Sequence, residues 1–161
     1  MRIVVISDSH GASDSLRKVV SRNIGFCDFF IHLGDGERDV DSVRSDFPQA
    51  DIRFVRGNCD YDSNAPGTLV IPACDGIKIF CTHGNRYHVH SSPMSVCYAA
   101  EEQGCRIALF GHTHCRFTAE SGGIYLMNPG SLSLPRDGMP PSFGCIDIKD
   151  GNIVLSVSDL V

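Results

Sequence analysis

Five short apolar runs in this chain end the same way, each delivering a metal-capable side chain just past its carboxyl end with a glycine close by. Arg2 to Ser7 runs into Asp8-Ser9-His10, Phe29 to Leu33 into Gly34-Asp35, and Ile52 to Val55 into Gly57-Asn58. Ile77 to Cys81 leads to His83-Gly84, and Arg106 to Phe110 to Gly111-His112-Thr113-His114. Open α/β sheets place their ligand sites at that edge, so strands of this kind bring the five groups together. Glycine lets the backbone turn sharply there. In Asp8-x-His10 and His112-x-His114 the paired side chains share a face if the backbone is extended, since side chains alternate with period two.

The segments between the runs set the fold class. Asp14 to Arg22 has Leu16, Val19 and Val20 at helical spacing with Ser13 as its expected cap, and a second short helix is expected over Asp39 to Arg44. Gly57 to Gly67, rich in Asn, Asp, Pro and Gly, reads as a loop. Leu69 to Ile71 and Ile77 to Cys81 flank a Pro72/Gly76 turn as a hairpin, and Pro93 to Glu102 has helical character. Strands are expected again at Arg116 to Ala119, Ile124 to Met127, Gly144 to Ile148 and Ile153 to Val157, separated by turn signals. The order is βαβ-like first and meander-like later. It predicts an α/β fold of two packed mixed β-sheets flanked by helices, in one domain spanning residues 1–161.

Charge and cysteine usage narrow the function. Fourteen Lys and Arg against nineteen Asp and Glu give a net charge of -5, which argues against a nucleic-acid coat or an anionic-membrane binder. A phosphate substrate stays compatible, because bound dications reverse the local sign. No apolar run approaches the roughly 18 residues of a membrane span. The opening Met1 to Ile6 is too short for a signal-peptide core, so the expected location is the cytoplasm. Of the eight cysteines, none in a C-x-x-C pair, most then read as small buried hydrophobes and not as a disulfide framework.

Asp8-x-His10, Gly34-Asp35, Gly57-Asn58-Cys59-Asp60, His83-Gly84 and Gly111-His112-x-His114 together resemble the five-motif signature of calcineurin-like metallophosphoesterases. The spacing, the short length and Asn128-Pro129-Gly130-Ser131 are most similar to the small YfcE-type phosphodiesterases. The resemblance covers Met1 to about Ile148 and implies two divalent cations. One would be held by Asp8, His10, Asp35 and His114, the other by Asp35, Asn58, His83 and His112, with Asp35 bridging. Mn²⁺ is the metal most often associated with the family. A donor set of imidazole, carboxylate and amide independently suits Mn²⁺, Fe²⁺, Ni²⁺ or Zn²⁺ over a structural zinc cage. The implied reaction is hydrolysis of a small-molecule phosphodiester by a metal-activated hydroxide, with Asp35 and Asn58 as catalytic groups and Asn58 and Cys59 in contact with substrate. Relatives of this size also imply a homo-oligomer.

Two departures from the family pattern bear on the substrate. Cys59 stands where many members of the superfamily have a histidine assisting the leaving group, and a thiol is the poorer proton donor at neutral pH. Good leaving groups are therefore expected to be favoured. Asn85 replaces a histidine that relatives often carry after His83-Gly84, which touches the pocket rim. Asp60 is either a support for the ligands or a solvated loop carboxylate. His32 reads as a core histidine, His88 and His90 as surface imidazoles, and Asn128-Pro129-Gly130 first as a turn. Arg86 and Arg136 have the chemistry to clamp a phosphate, although an exposed arginine needs no function. A non-catalytic interaction module of the same fold, resembling a retromer subunit, is the alternative from another class. A phosphomonoesterase or a nuclease would share the metals and differ in the pocket.

Overall fold

The computed structural model describes residues 1–161. Ten strands form two five-stranded sheets whose central strands are parallel. The first sheet has the order β10-β9-β1-β2-β3, from β1 (Arg2–Ile6), β2 (Phe29–His32), β3 (Ile52–Phe54), β9 (Ser142–Lys149) and β10 (Asn152–Asp159). The second has the order β4-β5-β6-β8-β7, from β4 (Thr68–Pro72), β5 (Lys78–Thr82), β6 (Ile107–Leu109), β7 (Arg116–Ser121) and β8 (Ile124–Pro129). Helices α1 (Ser13–Asn23) and α2 (Glu37–Asp46) cover the first sheet, and α3 (Met94–Glu102) covers the second.

The apolar runs are continuous because their strands are buried on both faces. Ile3 and Val5 of β1, Phe29 and Ile31 of β2, Ile79 and Cys81 of β5, and Ile107 and Leu109 of β6 fill the space between the sheets. The alternate residues Val4, Ile6 and Phe30 pack under Leu16, Val19, Val40 and Val43 of the helices. On the other side Phe80 and Ala108 meet Val96, Cys97 and Ala100 of α3. This placement aims the carboxyl ends of β1, β2, β3, β5 and β6 at one edge of the sandwich.

Three local expectations are corrected. The last two strands are not part of a separate meander: β9 pairs antiparallel with β1 and extends the first sheet. Ser13 is the first residue of α1, not its cap; its hydroxyl donates to Asp39 of α2. The Asp8/His10 and His112/His114 pairs are not extended. All four residues have positive φ, from 43° to 68°, so tight left-handed turns, not strand alternation, aim these side chains.

His32 is the core histidine expected, and it anchors the first of those turns. Its Nε2–H donates to Ser9 Oγ at 3.1 Å, since the Ser9 hydroxyl is itself committed to Asp39 at 2.6 Å. Its Nδ1 accepts from the Gly34 N–H at 3.2 Å, so both ring nitrogens are satisfied only in the neutral form. Burial pushes its pKa down from 6.5 to about 4. Above pH 6.5 the ring is neutral in folded and unfolded chains alike. Below it the unfolded chain binds the proton first, so stability falls as the pH drops toward 4, by roughly 3 kcal/mol at most from this group. We expect His32→Leu to lower stability at pH 7 by about 2–3 kcal/mol through the stranded Ser9 and Gly34 partners. Denaturant titrations should also show a shallower loss of stability between pH 6.5 and 4 in the variant than in the parent.

Candidate metal centre

Turns at the sheet edge are stitched together before any ligand is considered. The Asp8 and His10 N–H groups donate to the carbonyls of Gly34 and Asp35, joining the first and second motifs. Ser131 and Ser133 donate to the Asp8 carbonyl at 2.7 and 3.2 Å, and Ser7 donates to Asp8 Oδ2 at 2.6 Å. That same oxygen accepts the His112 N–H at 3.1 Å, a bond linking the two sheets. Asn128 donates to the Gly111 carbonyl and to Thr113 Oγ1, and accepts the Gly130 N–H. It is therefore a clamp on the His112 loop as well as a turn residue.

Asp60 resolves into a support. Its Oδ2 accepts the N–H groups of Asp35 and Gly57 at 2.8 Å each, and its Oδ1 those of Gly36 and Glu37 at 3.0 Å each. The Cys59 N–H donates to Asp35 Oδ1 at 2.7 Å. Gly57 and Gly111 are needed for closeness: a Cβ at the first would strike the Asp35 carboxylate, and at the second Ser7 Oγ and the Asp8 carboxylate.

The donors converge as lone pairs. His83 Nδ1–H donates to the Leu33 carbonyl at 2.8 Å and His114 Nδ1–H to Leu134 at 2.7 Å, which turns each Nε2 inward as an acceptor. His114 Nε2 faces Asp8 Oδ1 at 3.1 Å and His10 Nε2 at 3.2 Å. His83 Nε2 faces Asp35 Oδ2 at 3.3 Å and Asn58 Oδ1 at 3.1 Å. Asp8 Oδ1 is buried without a hydrogen-bond partner. Asp8, His10 and His114 form one group of donors within 4.8 Å of one another, and Asp8, Asp35 and His83 another. Such a cluster of acceptors is relieved by cations, and its mixture of carboxylate and imidazole fits a divalent metal.

Two sequence-predicted residues sit differently. His112 belongs to none of these groups; its ring packs edge-on against His83 at 5.1 Å and His90 at 4.8 Å. Cys59 is exposed, yet its thiol forms a third group with His10 and Asp35. The ring contact of His90, the Asn128 clamp and the bonds of Ser131 and Ser133 to Asp8 are not visible in the sequence, because each spans distant segments.

Electrostatics follow the geometry. Burial would raise the pKa of Asp8, but His114, His83 and Ser7 outweigh it and hold the carboxyl below its ordinary value. Burial likewise opposes ionisation of Asp35, and His83 with the Cys59 N–H more than offset it. His83 and His114 are pushed down by burial and, more strongly, up by the two carboxylates. His112 is lowered by burial and by its neighbours His83 and His90. Burial and the Asp35 carboxylate raise Cys59 to about 11.

A family model for the calcineurin-like phosphoesterase superfamily domain matches residues 1–151. The chain belongs to that superfamily. It is 32% identical over 150 residues to the probable metallophosphoesterase YsnB of Bacillus subtilis, covering 93% of this chain and 86% of YsnB. To phosphodiesterase YfcE of Escherichia coli it is 33% identical over 112 residues, 64% of this chain and 54% of YfcE. The crystal structure of a predicted phosphoesterase from Streptococcus pneumoniae superimposes with a TM-score of 0.85 at 32% identity, over 97% of this chain and 87% of that one. Vps29 of Entamoeba histolytica, crystallised with Zn²⁺, shares the fold at a TM-score of 0.75 and 25% identity, over the full length of both chains. Superfamily membership implies divalent metal ions, and the converging donors are where such ions fit. No helix is long and apolar enough to cross a membrane.

Asp60→Asn tests how far the support matters. An amide nitrogen in place of one oxygen would oppose two N–H donors, so we expect a loss of about 2–4 kcal/mol in stability. Calorimetric Mn²⁺ titration should show roughly 10–100-fold weaker binding, the usual cost of losing a residue that orients ligands.

Proposed function

We propose that this protein is a binuclear metal-dependent phosphodiesterase that hydrolyses a small phosphodiester, works in the cytoplasm and prefers good leaving groups. The observation that carries the reading is the buried, unpartnered Asp8 Oδ1 amid inward-facing imidazole Nε2 atoms. Names of relatives add to it: YfcE is a phosphodiesterase and YsnB a probable metallophosphoesterase. Two dications bound there supply Lewis acidity and a water deprotonated near neutral pH.

Asp8, His10, Asp35 and His114 would hold one ion, and Asp35, Asn58, His83 and His112 the other, with Mn²⁺ the first choice and Ni²⁺, Fe²⁺ or Zn²⁺ the others. His112, whose ring stands beside His83 at 5.1 Å, would complete the second set. The Asn58 amide serves twice. Its Oδ1 faces His83, while its Nδ2, resting on Cys59 Sγ at 3.3 Å, is placed to donate to a phosphoryl oxygen. No imidazole occupies position 59, so the leaving group departs with little help from a protein acid. The net charge of -5 disfavours a long nucleic-acid substrate.

The interaction-module reading draws on the fold shared with Vps29. Every position of the five motifs keeps its donor, which favours the enzyme, since an interaction module is free to lose one.

Metal-stripped protein resupplied with Mn²⁺ should cleave bis-p-nitrophenyl phosphate faster than p-nitrophenyl phosphate, and Asp35→Asn should lose more than ~100-fold, beyond the cost of a supporting residue. No turnover with any metal, despite two ions bound, would move the assignment to the interaction module. Cys59→His should raise cleavage of alkyl esters by up to roughly 10²-fold with little gain for aryl esters, as a restored acid would. An equal effect on both classes would remove the leaving-group argument.

A further inference from the structure

Arginines in this acidic chain divide into two kinds. Arg2, Arg17, Arg44, Arg53 and Arg116 pair with carboxylates, and Arg22 bonds the Val161 carbonyl. Arg38, Arg56, Arg86, Arg106 and Arg136 have no ion pair, and all but Arg106 stand around the metal centre: Arg38 lines the cavity beside His10, and the Arg136 N–H bonds the His114 carbonyl. Arg56 and Arg86 go further, because both line one cavity of about 200 Å³ whose other walls include Asn58, Gly67 and Asn85. That volume is room for roughly six water molecules.

The cavity is built from the metal centre outward. Asn58 forms its wall and faces His83 at 3.1 Å. Asn85 and Arg86 lie on a single helical turn, Asn85–Tyr87, which the left-handed Gly84 starts immediately after His83. Arg56 precedes the Gly57-Asn58 motif; its N–H is bonded to the Pro66 carbonyl and its Nη1 to Ser63 at 3.2 Å, which leaves the rest of the guanidinium unspent. Arg86 makes no side-chain hydrogen bond, and Gly67 stands beside it in the same cavity wall. Asp60, the cavity's carboxylate, is committed to four backbone N–H groups. One free guanidinium fork, the unspent N–H groups of a second and an amide around a small polar cavity match the oxygens of a phosphate.

We propose that Arg56 and Arg86, with Asn85, form a subsite for a second phosphate carried on one ester arm of the substrate, a role that rests on the phosphodiesterase reading of the metal centre. The substrate class is then a phosphodiester bearing a further terminal phosphate, not a neutral-armed diester. The subsite selects by binding and takes no part in bond cleavage.

Two probes test it on Mn²⁺-loaded protein. Thymidine 3′,5′-bisphosphate should bind about tenfold tighter than thymidine 5′-phosphate by calorimetry, the gain expected of one charge-assisted contact. The p-nitrophenyl ester of thymidine 5′-phosphate should show a correspondingly lower KM when it carries a 3′-phosphate. In Arg56→Met and Arg86→Met both ratios should fall toward one, Arg86 being the cleaner site because its side chain holds nothing else in place. Arg106→Met should keep them. Equal binding of the two nucleotides by the parent protein, or ratios unchanged in both variants, would overturn the subsite while nitrophenol release upheld the diesterase. Absence of nitrophenol from either ester would overturn the diesterase, and the calorimetric ratio would still decide whether these arginines hold a second phosphate.

Discussion

Acceptors facing acceptors set the terms for everything at the sheet edge. Asp8 and Asp35 direct oxygens, and His83 and His114 direct ring nitrogens, into one small volume, and Asp8 Oδ1 is buried there without a hydrogen-bond partner. With the imidazoles neutral such a volume is costly, because lone pairs at 3.1–3.3 Å repel and burial removes water from them. Cations turn the same arrangement into a favourable one. The surrounding structure holds the acceptors in place instead of letting them relax apart.

That restraint comes mostly from backbone N–H groups and from hydroxyls. Asp60 gathers four amides from two loops, Asp8 is held by Ser7 and the His112 N–H, and Asp39 takes Ser9, Ser13 and Gly11. Most of these contacts join segments separated in the chain, and the His112 bond ties the two sheets at the edge that bears the site. Left-handed turns at Asp8, His10, Asp35, His112 and His114 cost conformational energy that these bonds offset. Five of the eight non-glycine residues with positive φ lie in these motif turns, the other three being Asp75, His88 and Asp150, and strain gathered at the donors is what a pre-organised site requires.

Around this centre the charge distribution changes sign. The donor-bearing loops are acidic, whereas Arg38, Arg56 and Arg86, which form no ion pair, line the cavities beside them. On the proposed reading, chemistry and selection fall to different residues: carboxylates and imidazoles to the metal ions, and guanidinium groups to what the substrate brings beyond the reacting phosphorus. A rim of this kind can change without disturbing the ligands beneath it.

Periodicity and turn chemistry are local properties, and they placed all ten strands, the three α-helices and the five ligand-bearing turns. The Asn85–Tyr87 turn was not legible, being a single turn without an apolar period. Nor was the pairing of β9 with β1, because a strand's own alternation carries no record of its neighbour. The motifs also misled in one respect, since an x-spaced pair looks the same in a strand and in a left-handed turn. By itself, then, the sequence determined which side chains end the strands, and through the resemblance which family they serve. Only the tertiary structure decided that Asp60 supports four amides, that Asn128 clamps the histidine loop, that His112 leans toward His90 and that Arg56 shares a cavity with Arg86. Those facts depend on contacts across tens of residues, where geometry is set by how two sheets pack and not by any segment's own preference.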